Sequence, residues 1–209
     1  MIVTLSEPFI RLAYPLRGTA VESLTDNADE LKALTGLIAR ARAASPDETV
    51  RGYIMRPFQI PNPSRFSDGS YGMLYVANSV ATAVRETAHH LARIFADGNA
   101  PKQDTRKKKL AIHIAGNVDD IRVAFDTSVP IAIYDPNDYR AARTFGREQQ
   151  QKSVPGLHFD SVRNTRSGHC VGAFTPDLVE HAAIAGDVAL VWDGKRFIEE
   201  HEISQIPES

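Results

Sequence analysis

From Ser79 to Ala96 an apolar or small residue recurs every three or four positions: Val80, Ala83, Val84, Thr87, Ala88, Leu91, Ile94 and Phe95. That interval predicts a helix with one apolar stripe, which a second layer of structure must cover. Asn78 or Ser79 suits its N-cap, and Asp97-Gly98 ends it. Immediately upstream, Met73–Ala77 reads as a short strand in which Met73, Tyr75 and Ala77 alternate with Leu74 and Val76. Before that strand, "RPFQIPNPSRFSDGSYG" is punctuated by Pro57, Pro61, Pro63, Gly69 and Gly72 and reads as a loop. A loop, a strand and a helix in direct succession can bring Arg65, Tyr75 and Glu86 to the mouth of one cleft.

The rest of the chain supplies elements of both kinds. Residues 26–45 carry Leu31, Leu34, Ile38 and Ala41 on one helical face, with Asp26 or Asn27 as cap and Pro46-Asp47 as the stop. Residues 50–55 look extended. After a polar connection at 97–108, apolar strand patterns follow at 110–116 ("LAIHIAG"), 120–125 ("DIRVAF") and 131–134 ("IAIY"). The Asp-Pro pair at 135–136 opens a predicted helix. Strands are expected at 156–162 and 170–174, a short helix at 175–182, and a hairpin turning at Asp193-Gly194. Helices and strands do not alternate as in a doubly wound sheet, so the expected class is α+β (mixed α/β) with a largely antiparallel sheet.

Composition narrows the function. The 209 residues suit a single domain, with 18–55 as a helical insertion and 186–209 as a C-terminal hairpin and tail; 43% hydrophobic content suffices for a core. A formal charge of −2 lacks the basic footprint of a nucleic-acid binder, which disfavours a nuclease. The "TRKKK" run at 105–109 reads as a solvated loop edge. Cys170, the sole cysteine, excludes an internal disulfide and reads as a small buried hydrophobe. With no basic leader before an apolar core and no apolar run of bilayer length, a cytoplasmic location without membrane attachment is expected.

Common catalytic signatures are missing: GxxxxGK[ST], GxGxxG after a strand, GxSxG and HExxH do not occur. Glu86 and His90 share a helix face, but a metal site needs three or four ligands, so no metal is expected. Residue types and spacing alone leave Glu86, Arg65 and Ser161 as ordinary surface or strand residues.

The stretch "SRFSDGSYGMLYVANSVATAVRETAHH" nevertheless resembles the core of the RES domain, a family named for recurring Arg, Glu and Ser residues. The later stretch "GLHFDSVRNTRSGHCVGAF", with Phe174, Thr175 and Pro176 after it, is similar to that family's second block. The resemblance implies an ADP-ribosyltransferase-like fold, a split and mostly antiparallel sheet flanked by helices. It also implies the toxin of a bacterial toxin–antitoxin pair, consuming NAD as substrate, and an antitoxin of the Xre helix-turn-helix type as partner. By position, Arg65, Tyr75, Glu86 and Ser161 match the family's functional residues. Arg11 is the choice for a further N-terminal arginine, with Arg17 or Arg56 as alternatives.

Those residue types suit the chemistry. Cleaving the nicotinamide–ribose bond develops oxocarbenium character, which a carboxylate such as Glu86 offsets. Guanidinium groups at Arg65 and Arg11 match a pyrophosphate. Tyr75 can stack on the nicotinamide or ribose, and Ser161 can orient Glu86 or bind phosphate. The expected enzyme is therefore an NAD phosphorylase or NAD glycohydrolase, with no resident cofactor and inorganic phosphate as a possible co-substrate. Transfer of ADP-ribose to protein, or a non-catalytic nucleotide- or partner-binding module, are the alternatives.

Overall fold

Two long antiparallel strands form the backbone of the molecule. In the computed structural model, which describes residues 1–15, 46–124 and 128–203, β1 (Ile2–Ala13) pairs along its whole length with β3 (Gln103–Asp120). Between them come helix α1 (Pro46–Gln59), strand β2 (Leu74–Ala77) and helix α2 (Val80–Asp97). Beyond β3 lie helix α3 (Arg140–Gln151), β4 (Gly156–Asp160), β5 (His169–Ala173), β6 (Val179–Trp192) and β7 (Phe197–Ile203).

The seven strands form one mixed sheet in the order β1-β2-β5-β4-β3-β6-β7, in which β3–β4 is parallel and every other pairing antiparallel. Because β1 also pairs with β3, the ladder closes into a circuit. Two joints of that circuit are short: Ile10↔Ala77 between β1 and β2, and Asp119↔Leu157 with Asp120↔His158 between β3 and β4. The sheet is thereby divided into a β2-β5-β4 half and a β1-β3-β6-β7 half. The α+β expectation and the mostly antiparallel split sheet both match this architecture.

One face of the sheet encloses Phe9, Leu74, Val76, Leu110, Ile112, Ile114 and Val171, against which Tyr53 and Ile54 of α1 pack. The other face carries Phe66, Tyr75, Ala83, Leu157, Phe159 and Cys170. The apolar stripe of α2 buries Val84 and Leu91 on Val188 and Leu190 of β6. Its start is as expected, with Ser79 Oγ accepting from Thr82 N, and Gly98 closes it.

Several sequence expectations need correction. Residues 50–55 are helical: Pro46 opens α1, where a fixed φ and a missing N–H are both harmless at the first turn. Tyr53 and Ile54 pack against the sheet, although this β-branched and aromatic run reads as extended. The "TRKKK" run is part of β3, and Lys107 is only 2% exposed, its ammonium over the Tyr14 ring. Burial pushes the Lys107 amine down to about 7, with Arg11 adding to the effect. The chain leaves the sheet after Asp120, so 121–124 form no strand, and "IAIY" is a 3-10 turn, Ile131–Tyr134. Only Pro176–Leu178 of the short helix at 175–182 forms, as a 3-10 turn capped by Thr175, before β6 begins. The last hairpin turns over four residues, not two: Trp192 pairs with Phe197, and Asp193 Oδ1 accepts from the N–H groups of Lys195 and Arg196. The predicted helix at 26–45 lies outside the described residues, as does most of the proposed 18–55 insertion.

Candidate active site

The loop before β2 is held by its own polar residues. The Tyr75 hydroxyl accepts from Phe66 N at 3.2 Å and shares a hydrogen bond with Ser64 Oγ at 2.9 Å. Ser67 Oγ donates to the Tyr71 carbonyl at 2.6 Å, and the Tyr71 hydroxyl to the Phe66 carbonyl at 2.5 Å. Phe66 is fully buried edge-on to Phe159, their centroids 4.9 Å apart. Gly146 of α3 makes this packing possible, because a Cβ there would lie 2.0 Å from the Phe66 carbonyl oxygen.

This scaffold presents Arg65, which is 8% exposed. Its Nη1 donates to the carbonyls of Ile133 and Asp135, both at 3.0 Å, and its guanidinium stacks 4.5 Å from the centroid of Tyr139. Its Nη2 is buried with no hydrogen-bond partner among the described residues. A buried guanidinium N–H without an acceptor is uncommon and points to a group that the site is built to receive.

Glu86 projects from the second turn of α2, and the loop after β4 delivers Ser161 to it. The Ser161 hydroxyl, 3% exposed, donates to Glu86 Oε1 at 2.5 Å. Its oxygen also accepts from Arg163 N at 3.2 Å and Asn164 N at 3.0 Å, so one side chain folds the loop and fixes the carboxylate. Asn164 anchors the same loop to α2, donating to Thr82 Oγ1 at 2.9 Å and accepting from Arg85 Nη1 at 2.8 Å. Asn78 ties in the far end of the loop through Ser167 O and His169 N.

The charges of Glu86 and Arg65 both bear on Cys170. Burial raises the Cys170 thiol well above its ordinary range; the Glu86 charge raises it further, while the Arg65 charge opposes it. Arg65 also bears on His89, one turn along α2 from Glu86. Burial pushes the Tyr75 phenol up to about 12, so it stays protonated and serves as a hydrogen-bonding group. Among the described residues, no three His, Cys, Asp or Glu side chains converge as a metal would require.

The structure thus joins Ser161 to Glu86 and ties Tyr75 to the loop that carries Arg65. Tyr75 differs from expectation in one respect: its hydroxyl is engaged by the Arg65 loop. Arg11 shares its strand parity with Phe9 and Ala13, on the opposite face of β1 from Ile10 and Leu12. It reaches the seam where β1 and β2 part, and Nη1 donates to the Tyr75 carbonyl at 2.9 Å. Burial lowers the Arg11 guanidinium to about 10, and its Nε has no hydrogen-bond partner among the described residues. Of the alternatives, Arg56 is exposed in the last turn of α1, and Arg17 lies outside the described residues.

Sequence reasoning missed Asn164, Tyr139, Arg163 and His89. His89 carried a usable signal, since three residues after Glu86 places it on the same side of a helix.

Comparisons with known proteins bear on most of the chain. A family model described as RES domain matches residues 38–193. No curated protein matches the chain. Among solved structures, the crystal structure of the M. tuberculosis MbcT-MbcA toxin-antitoxin complex contains a similar chain. Its identity is 12%, its TM-score 0.47, and the likeness covers 87% of this chain and 86% of that one.

Proposed function

The chain belongs to the RES-domain family, and on that premise we propose that it is the toxin of a bacterial toxin–antitoxin pair, acting in the cytoplasm by cleaving the nicotinamide–ribose bond of NAD. The observation that carries this reading is the pairing of a carboxylate fixed by a buried serine, Glu86 on Ser161, with the inward guanidinium of Arg65.

Each residue then has a defined task. Arg65 offers its unpartnered Nη2–H to a phosphoryl oxygen of the dinucleotide, a charge-assisted contact whose direction the Ile133 and Asp135 carbonyls fix in advance. Glu86 faces the ribose. As the C–N bond breaks, its electron pair leaves with nicotinamide, which becomes neutral, and positive charge grows on the sugar carbon. The carboxylate stabilises that charge. Ser161 keeps one carboxylate oxygen occupied and the side chain in a single orientation. Tyr75 holds the Arg65 loop in register, and its ring lines the same face. An oxygen of inorganic phosphate completes the bond to the sugar carbon in phosphorolysis, giving an ADP-ribose phosphate ester; water does so in hydrolysis, giving ADP-ribose.

Incubation of the purified chain with NAD tests the proposal. Release of nicotinamide that requires phosphate supports phosphorolysis, and release without phosphate supports hydrolysis. ADP-ribose attached to protein, with no free product, would indicate transfer. NAD left intact under all conditions removes the enzymatic reading in favour of a binding module. The family's antitoxin, of the Xre helix-turn-helix type, is the expected partner, and co-expression with the neighbouring gene product should restore growth and NAD levels.

A further inference from the structure

Among the described residues, four buried side-chain nitrogens on or beside the site face lack a hydrogen-bond partner: Arg65 Nη2, Arg163 Nε, His89 Nε2 and, at the seam, Arg11 Nε. Arg65 and Arg163 are held by the same turn: Arg65 by the carbonyls of Ile133 and Asp135 and the face of Tyr139, Arg163 by the Pro136 carbonyl and the Tyr139 hydroxyl. The backbone of Arg163 is fixed from the other side, because its N–H donates to the Ser161 oxygen whose proton sits on Glu86. His89 lies three residues beyond Glu86, on the same side of α2.

We propose that Arg163 and His89 complete, with Arg65, a phosphate-recognition site next to Glu86. The three groups come from three separate elements, and each has a buried nitrogen without a hydrogen-bond partner among the described residues. Burying such donors is unfavourable unless an acceptor arrives. A tetrahedral phosphoryl group has enough oxygens to accept from all three, and two guanidinium groups balance its charge. With its Nε2 protonated, a neutral His89 donates there without adding a third positive charge. The assignment deepens the NAD-cleavage reading and rests on it for biological meaning: the phosphoryl group is either the dinucleotide's pyrophosphate or the free phosphate that attacks the sugar.

The test uses ligands that do not react. Thermal unfolding of the full chain is followed with increasing inorganic phosphate and, separately, ADP-ribose, for wild type, Arg163→Met, Arg163→Lys and His89→Leu. The expected result is stabilisation of the wild type, with apparent affinity weakened roughly tenfold or more in Arg163→Met and His89→Leu, the scale of one lost hydrogen bond to a charged group. Arg163→Lys should retain part of the effect and also serves if the methionine variant does not fold. Weakening confined to inorganic phosphate identifies the attacking phosphate as occupant; weakening of ADP-ribose, with phosphate as competitor, identifies the pyrophosphate. Absence of stabilisation by either ligand in the wild type, or equal stabilisation of all variants, overturns the proposal. Neither outcome depends on NAD turnover, so the NAD-cleavage reading stands or falls separately.

Discussion

The hydrogen bond between Ser161 and Glu86 can be tested as a double-mutant cycle. A serine hydroxyl has one proton and two lone pairs. Here the proton goes to Glu86, and the oxygen accepts from the Arg163 and Asn164 N–H groups. Ser161→Ala removes all three partners. The contact with the carboxylate contributes about 1.5–3 kcal/mol and the two backbone contacts about 1 kcal/mol each. Allowing for water reaching the half-buried Arg163 amide, a loss of about 3 kcal/mol is expected. Glu86→Gln keeps an acceptor oxygen but makes the bond neutral, roughly halving it, for a loss of about 1 kcal/mol. The two changes share one interaction, so the double variant should fall short of their sum by about 1 kcal/mol. Urea unfolding resolves this, since 3 kcal/mol moves the midpoint by on the order of 1.5 M at a slope of about 2 kcal/mol/M. In the proposed reaction, Glu86→Gln should lower nicotinamide release by roughly 10²–10³-fold, the scale of a lost electrostatic contact in the transition state. Strict additivity of the two stability losses, or a Ser161→Ala variant within about 0.5 kcal/mol of wild type, would refute the reasoning.

Three further outcomes are expected. Tyr75→Phe leaves the buried Phe66 N–H without its acceptor and should lower stability by about 1–3 kcal/mol in denaturant unfolding, with a matching loss of turnover as the Arg65 loop loosens. Gly146→Ala forces a methyl against the Phe66 carbonyl and should lower stability by about 1–3 kcal/mol or more, whereas Gly186→Ala, where the new carbon would be 3.8 Å from the Lys109 side chain, meets no such obstruction and suffers only from its positive φ. Burial pushes His158 down to about 4, so between roughly 6.5 and 4 the unfolded chain binds the extra proton; stability should therefore fall as pH drops through that window, and His158→Gln should flatten the dependence in pH-resolved melting.

The parts of the site that were legible lie in one local unit. Arg65, Tyr75 and Glu86 fall on a loop, a strand and a helix that follow each other directly, and local pattern fixes such a unit whatever the rest of the chain does. Ser161 was reachable only through family resemblance, because its approach to Glu86 depends on β5 pairing with both β2 and β4. Asn164 and Arg163 followed it into obscurity for the same reason. The first part of β3 was hidden by a change of phase. Thr105 and Lys107 are buried on one face of the strand, then Leu110, Ile112 and Ile114 on the other, so no single alternation runs through it. Helix α1 was misread because Gly52 and Pro57 interrupt a run of good strand formers, and its helicity comes from packing Tyr53 and Ile54 on the sheet.

The pairing of β1 with β3 also governs how the protein is made. Ile2 must find Asp119 and Ala13 must find Lys108, so the first strand leaves the ribosome long before its neighbour exists. At about 5–20 residues per second, it spends several seconds as an unmatched apolar ribbon, open to chaperones or to a second nascent chain. Contacts this remote in sequence slow the search for the native state. Ser161 emerges later still, which leaves the unfinished polypeptide without the Glu86 contact until the loop after β4 has been made.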